Sequence, residues 1–161
     1  MIPTEQAFQV LTIELEDEVF ALDAARVQEI LDIVPITEVP NAKVFVGGLI
    51  NVRGKVVPLA DLRRRFGMEA RPASRDTRIV VIEVMLDEMP MTVAILADKV
   101  HEVTEITAAA IEETPKVGMR WRPEFIKGIG KKNAEFIIVL DIDRVFNTDV
   151  PALERATETA S

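Results

Sequence analysis

Side chains that could carry out covalent or metal chemistry are scarce in this sequence. It contains no cysteine, no tyrosine and a single histidine, His101. Its two serines, Ser74 and Ser161, lie in a polar joint and a C-terminal tail, away from any strand–turn–helix elbow that would expose a nucleophile. One histidine is too few for a His-rich metal site, and neither a phosphate loop nor a dinucleotide-binding glycine pattern occurs. We therefore expect a protein that is not an enzyme, with no catalytic residue, cofactor or metal.

Carboxylates are the one catalytic resource present in quantity. Glu16, Asp17 and Glu18 are consecutive and could be taken for a metal-binding cluster. Predicted strands lie on both sides of them, so the pattern favours an acidic hairpin turn. His101 follows Val100 on a predicted short helix, where a solvated surface position fits it better than a proton shuttle. An enzyme that uses carboxylates alone stays open as an alternative.

The remaining chemistry is non-covalent binding. Arg53 precedes Gly54 at a predicted hairpin tip, where its fork of donors suits a carboxylate on a partner. The run Arg63–Arg65 is spread around a short helix, which predicts a solvated face with one or two salt bridges. Trp121 is either an interface anchor or a plug for the end of a barrel, and the sequence leaves both open. Arg53 is the strongest of these candidates.

The elements that must position these residues are encoded twice. Phe45–Phe66 and Phe125–Phe146 align without a gap at an offset of 80 and share five identical residues, where ordinary residue usage would give roughly one by chance. The segments differ at their tips, Asn51–Gly54 in the first and Lys131–Ala134 in the second. A fold constraint common to both halves would not need that difference, so the first tip is the candidate working site.

The repeat extends upstream of these segments. Val27–Ile30 resembles Val100–Val103 at an offset of 73, and Val10–Leu15 faces Ile79–Val84. Each half therefore reads as strand, acidic turn, strand, short helix, connector, hairpin and short helix. Asp23 is predicted to cap the first of these helices, whose apolar face would consist of three residues, Val27, Ile30 and Leu31.

Proline, glycine and a helix-capping aspartate delimit the remaining elements of the first half. Pro35 and Pro40 bracket a short segment that is predicted to be an edge strand or a connector, because proline donates no ladder hydrogen bond. Asp61 is expected to cap a short helix that runs through Phe66, and Gly67 to end it.

Composition excludes several partners. The net charge of −8 argues against nucleic acid and against an anionic membrane surface. No apolar run approaches the roughly 18 residues of a membrane span, and the N-terminus lacks the pattern of a signal peptide. With 48% hydrophobic residues the chain can bury a core. We expect a cytoplasmic protein without direct membrane insertion.

Short strands, short helices and a duplicated plan predict a mainly β fold. We expect two tandem five-stranded barrels of the Src-homology-3-like kind, packed pseudo-symmetrically around a shared hydrophobic core. The predicted domain covers residues 8–150 and contains two intertwined barrel subdomains, at roughly 8–75 and 76–146. Residues 151–161 are predicted to form a flexible or helical tail.

The segment Gly48–Leu62, which reads GLINVRGKVVPLADL, resembles the signature hairpin of CheW-like domains. The opening Phe8–Phe20, the Val27–Ile30 segment and the closing Ile126–Gly130 are similar to the same family, so the resemblance covers about Phe8 to Phe146. It implies a stand-alone adaptor that couples the cytoplasmic tips of bacterial chemoreceptors to the regulatory domain of the histidine kinase CheA. It also implies recruitment to membrane-associated receptor arrays.

The resemblance implies a set of receptor contacts on two predicted helices and the signature hairpin: Val27, Glu29, Gly48, Asn51, Arg53, Val100 and Val103. Kinase-binding residues are not assigned, although exposed strand edges of a barrel are expected to bind the kinase. Lys99 departs from the family pattern, in which a smaller residue is expected before Val100.

Two further readings remain open. The same domain serves chemosensory systems whose output is pilus motility or second-messenger control. A small nucleic-acid-binding barrel is the alternative from a different class, although the acidic composition disfavours it.

Overall fold

The computed structural model describes residues 7–40, 46–69, 72–107, 125–132 and 135–147. Trp121 and the predicted tail at 151–161 lie outside the described residues. In the described part the chain forms eleven strands and two short helices: β1 Ala7–Leu15, β2 Glu18–Asp23, β3 Val27–Asp32, β4 Thr37–Glu38, β5 Val46–Val52, β6 Lys55–Ala60, α1 Leu62–Arg65, β7 Arg78–Leu86, β8 Met89–Ala97, β9 Lys99–Thr107, β10 Ile126–Lys132, β11 Glu135–Leu140 and α2 Ile142–Asn147.

The strands form two sheets, which confirms the mainly β, paired-barrel prediction. The sheet of barrel 1 has the order β3-β7-β8-β6-β5-β4, and that of barrel 2 has the order β10-β11-β2-β1-β9. Barrel 1 thus has six strands rather than five. The extra strand, β4, has two residues, lies at the sheet edge and falls between Pro35 and Pro40, as predicted for that segment.

The two sheets do not divide the chain near residue 75. Barrel 2 takes β1 and β2 from the first half and β9 to β11 from the second, whereas barrel 1 takes β7 and β8 from the second half and its other strands from the first. In each sheet one parallel pairing joins strands from different halves of the chain: Ile138 of β11 pairs with Phe20 of β2, and Leu59 of β6 pairs with Ala94 of β8. The predicted subdomains at 8–75 and 76–146 therefore do not correspond to the barrels, because each half contributes its first hairpin to the other half's barrel.

The internal repeat is present in the structure. The bounds of β5 and β6 coincide with those of β10 and β11 at the offset of 80, and both hairpins have a register shift just before their glycine, Gly48 or Gly128. Asp61 accepts a hydrogen bond from the Arg63 amide at the start of α1, and Gly67 follows that helix at φ 72°. The predicted cap and stop of α1 are thus confirmed.

Alternate residues of the central strands face different cores. Leu11 and Ile13 lie in a core shared by both barrels, whereas the neighbouring Val10 lies in the interior of barrel 2. In β7, Ile82 faces the shared core and Val81 the interior of barrel 1. Three apolar cores result, as expected from the sequence, and burial on both sheet faces explains the apolar runs in these strands.

Aromatic rings occupy the middle of the shared core. Phe20 stacks on Phe66 with ring centroids 5.7 Å apart, and Phe66 packs against Phe125 at 6.1 Å. Phe20 lies on β2 and Phe125 directly before β10, both in barrel 2, whereas Phe66 ends α1, so the rings pack this helix against barrel 2.

The two predicted upstream helices are strands. Asp23 does act as a cap, accepting a hydrogen bond from the Ala25 amide at 3.0 Å, but it begins only the 3-10 turn Ala24–Arg26. β3 follows at once and pairs with β7, and β9 occupies the equivalent place in the second half. The spacing of the apolar residues fits a helix. These segments contain β-branched residues, however, and they form strands because each can pair with the edge of a neighbouring sheet.

Candidate functional site

The tip of the β5–β6 hairpin is a tight two-residue turn. Arg53 and Gly54 both have positive φ, 53° and 84°, which is the conformation of the turn that best matches strand twist. The Asn51 side chain accepts a hydrogen bond from the Gly54 amide at 2.8 Å. Asn51 thus fixes the turn that presents Arg53.

Arg53 is the most exposed charged side chain of the candidate site. Its side chain is 80% exposed, and its Nη2 donates to Oε1 of Glu29 at 2.8 Å. Glu29 lies on β3, at the opposite edge of the sheet of barrel 1 from β4. The ion pair therefore brings the hairpin tip to β3 and places two predicted binding residues in direct contact.

The three predicted valines lie on the two equivalent edge strands. Val27 begins β3 and Val100 lies near the start of β9, and both are partly buried against the shared core. Val103, further along β9, is 54% exposed. β3 and β9, called the two walls below, are thus edge strands rather than the predicted helices. Lys99, which departs from the family pattern, is exposed at the start of β9.

Gly48 has a packing role. It is buried, and a Cβ atom added to it would lie 2.7 Å from Cγ2 of Ile36. Any larger residue would push the segment before β4 away from β5. Gly48 thus supports the edge of barrel 1 rather than offering a surface to a partner.

An apolar groove lies along this edge, and sequence reasoning did not identify it. It has a volume of about 510 Å³ and lies between the β4 segment and the β5–β6 hairpin, lined by Val34, Pro35, Thr37, Glu38, Val39, Leu49, Ile50, Asn51 and Val56. Ile33, Ile36 and Val56 are each at least 40% exposed around it. Two isoleucines on either side of Pro35, Ile33 and Ile36, are the sequence signal that points to this patch.

Arg63 is buried, which corrects the prediction of a solvated arginine face. Its side chain is 4% exposed, forms two hydrogen bonds with Asp61 and contacts Oδ1 of Asp98 at 2.6 Å. The hydrogen bond with Asp61 raises the pKa of Arg63 above its usual value, against the opposing effect of burial. Arg64 is exposed as predicted, and the Arg65 guanidinium lies 4.6 Å from the centre of the Phe125 ring.

The described residues contain no group of three acidic or histidine side chains able to hold a metal ion. Glu16 and Asp17 form the predicted β1–β2 turn, with Glu16 at φ 58°. His101 lies on β9, 3.5 Å from a Glu14 carboxylate oxygen. Within the described part of the chain, no helix has the length and apolar character needed to cross a membrane.

Two barrels around a common core, with an exposed arginine tip and an apolar edge groove, define a protein-binding module. The family model described as the CheW-like domain matches residues 9–150. The chain belongs to the CheW-like domain family, which is a family of chemotaxis scaffold proteins.

Individual relatives agree with this assignment. The chemotaxis protein CheW of Klebsiella aerogenes is 31% identical over 148 residues, covering 92% of this chain and 86% of that protein. The crystal structure of the scaffolding protein TtCheW from Thermoanaerobacter tengcongensis superposes with a TM-score of 0.78 at 33% identity and covers 88% of both chains. The protein PilI of Pseudomonas aeruginosa is 25% identical, covering 74% of this chain and 65% of that protein.

Proposed function

We propose that this protein is a non-catalytic adaptor that couples the cytoplasmic tips of chemoreceptors to the regulatory domain of the histidine kinase CheA. The observation that carries the proposal is that two chemically different surfaces are exposed, charged side chains at the Arg53 tip beside β3 and an apolar groove at the β4 edge. An adaptor needs two such surfaces, because it must hold both partners at once.

The receptor surface is proposed to comprise Arg53, Glu29 and the valines at 27, 100 and 103. An amphipathic receptor helix would place its apolar stripe against the valines. The paired charges of Arg53 and Glu29 would exchange partners with charged groups flanking that stripe and so fix its register. Gly48 and Asn51, the remaining residues of the predicted set, would act indirectly by holding the β4 edge and the hairpin turn.

The kinase surface is proposed to be the apolar groove at the β4 edge. It combines a sheet edge, whose backbone groups are available for pairing, with exposed apolar side chains such as Ile36 and Val56. Such a patch suits another barrel with an apolar edge better than a charged ligand. The strand at this edge, β4, has only two residues, Thr37 and Glu38. So short an edge limits non-specific pairing with strands of other proteins.

Two exposed valines provide a reciprocal test of the two surfaces. Val56 on β6 and Val103 on β9 are 50% and 54% exposed, so aspartate at either position should leave the fold intact. Val56→Asp is expected to weaken binding of the CheA regulatory domain by about 30-fold or more, as loss of a hot-spot contact does, and to leave receptor binding unchanged. Val103→Asp is expected to do the opposite. Calorimetric titration against each partner measures both, and each variant is the matched control for the other.

Simultaneous binding is a separate prediction. In sedimentation velocity, a mixture of this protein, the CheA regulatory domain and a receptor cytoplasmic fragment is expected to give a ternary species that sediments faster than either binary complex. Competition between the two partners would mean that they share one surface, and the adaptor mechanism would then be wrong. Binding of neither partner would mean that the fold serves a different target.

A second output is favoured by one observation. The likeness to PilI spans most of this chain, so we also propose, as the alternative, a coupling role in a chemosensory system with a non-flagellar output. The binding geometry would be the same and only the cognate receptor and kinase would differ. Titration against the receptor and kinase encoded beside this protein's own gene would separate the two alternatives.

A further inference from the structure

The exchange of hairpins requires the chain to pass twice between the barrels in the described part. It leaves barrel 2 at the end of β2 and enters barrel 1 at β3, and it returns from β8 to β9. Each crossover is short, the turn Ala24–Arg26 in the first case and the single residue Asp98 in the second. The relative placement of the barrels depends on what holds these two segments.

A buried ion pair holds the second crossover. Asp98 accepts from Arg63 Nη1 at 2.6 Å through one oxygen and from the Glu16 amide at 2.7 Å through the other. Its own amide donates to the Glu14 carbonyl at 3.0 Å. Arg63 belongs to α1, which follows the β5–β6 hairpin of barrel 1, whereas Glu14 and Glu16 belong to the β1–β2 hairpin of barrel 2.

A second ion pair holds the first crossover in the same way. Arg26 forms a two-pronged contact with Asp143 of α2, at 2.8 and 2.9 Å, and also donates to the Glu83 carbonyl. Asp143 accepts in addition from the Met85 amide at 2.8 Å. α2 follows the last hairpin of barrel 2, whereas Glu83 and Met85 lie in β7 of barrel 1.

The two arrangements occupy corresponding places in the two halves and are opposite in charge, although the offset of 73 aligns Arg26 with Lys99 rather than with Asp98. Arg63 and Asp143 are the second residues of their helices and align at the offset of 80. Asp98 and Arg26 each lie directly before an edge strand. The helix carries the arginine in one half and the aspartate in the other, so the fold accepts either polarity at this place.

We propose that these two ion pairs, Arg26–Asp143 and Arg63–Asp98, are crossover locks that set the relative orientation of the barrels and hence the spacing of β3 and β9. Each lock lies directly before one wall of the proposed receptor surface, because Arg26 precedes β3 and Asp98 precedes β9. The Arg63–Asp98 lock is nearly enclosed, whereas both members of the Arg26–Asp143 lock are more than a quarter exposed. The Arg26–Asp143 lock is therefore the one that solvent or a partner can open.

The test measures the spacing of the walls directly. Because the sequence has no cysteine, Gln28→Cys on β3 and Glu105→Cys on β9 can be spin-labelled selectively, and both positions are exposed. Distances between the labels are measured by double electron–electron resonance in four proteins: the otherwise unchanged chain, Asp143→Arg, the charge swap Arg26→Asp/Asp143→Arg, and Arg144→Ala. Arg144 lies on the same helix with its side chain 68% exposed, so it is the matched control.

We expect one narrow distance distribution in the unchanged chain and in Arg144→Ala, and a broadened or displaced one in Asp143→Arg. The charge swap is expected to narrow the distribution again only in part, because it restores the ion pair but not the hydrogen bonds to the Glu83 carbonyl and from the Met85 amide. A narrow, unchanged distribution in folded Asp143→Arg would show that the pair does not position the walls. Failure of the charge swap to narrow the distribution relative to Asp143→Arg would show that the ion pair itself does not position the walls. If Asp143→Arg does not fold, Arg26→Gln, which removes the charge without adding a like one, takes its place. No partner is present, so the result is independent of the proposed function.

Discussion

Arg63→Ala is expected to lower the free energy of unfolding by about 3–5 kcal/mol, the usual cost of removing one partner of a buried ion pair. The substitution leaves the Asp61 and Asp98 carboxylates close together without their shared cation. Because the folded-state pKa of Arg63 is raised, its stabilising contribution is fully present below the unfolded-state pKa and is lost only as the pH rises through the folded-state pKa. The arginine is therefore charged at neutral pH, and urea denaturation followed by circular dichroism measures the loss there.

Arg64→Ala is the matched control, since Arg64 is next in the same helix. Its side chain is 58% exposed, and its contact with Asp61 is 3.9 Å long. Removal of such a surface pair changes stability by about 0–1 kcal/mol. Equal effects of the two substitutions would show that burial of Arg63 contributes nothing beyond a surface salt bridge.

Arg53→Glu is expected to weaken receptor binding by about 30-fold or more while the stability stays within about 1 kcal/mol of the unchanged chain. The substitution removes the forked donor and places a carboxylate beside Glu29, so the charge offered to a partner is reversed. The fold should not suffer, because the side chain is 80% exposed and its ion pair is at the surface. Titration with a receptor cytoplasmic fragment, together with a thermal melt, measures both effects.

Lys55→Glu tests whether a loss of receptor binding comes from Arg53 itself or from the change in the net charge of the protein. Lys55 is exposed in the same hairpin, two residues from Arg53, and its substitution changes the net charge by the same amount. We expect it to have a small effect on receptor binding. An equal loss in both variants would indicate general repulsion, and an unfolded Arg53→Glu protein would make Arg53 structural.

The architecture was predictable because duplication and alternation are strong, local signals. The 80-residue offset predicted the equivalence of the two hairpins, whose strands have matching bounds in the structure. The hairpin tip followed from Gly54, which is one of the few residues suited to positive φ.

The misassigned elements share one cause, which is that long-range pairing decided them. The segment from Val27 has apolar spacing compatible with a helix, yet pairing with Ile82 of β7 makes it a strand. Arg63 looked solvated because the sequence does not show that Asp98 comes within 2.6 Å of it from 35 residues away. The exchange of hairpins could not be predicted either, because the local sequence patterns are the same whichever barrel each hairpin joins.

The reciprocal exchange of hairpins also sets the order of events during synthesis. The β1–β2 hairpin leaves the ribosome 76 residues before its neighbour β9 begins at Lys99. At roughly 5–20 residues per second it waits about 4–15 s with both apolar faces uncovered. Barrel 1 is the unbroken segment from Val27 to Ala97, so it can close around its own interior core as soon as that segment has been translated. Barrel 2 unites the first and last strands of the described chain, and the β1–β2 hairpin therefore stays incomplete until β9, β10 and β11 have followed.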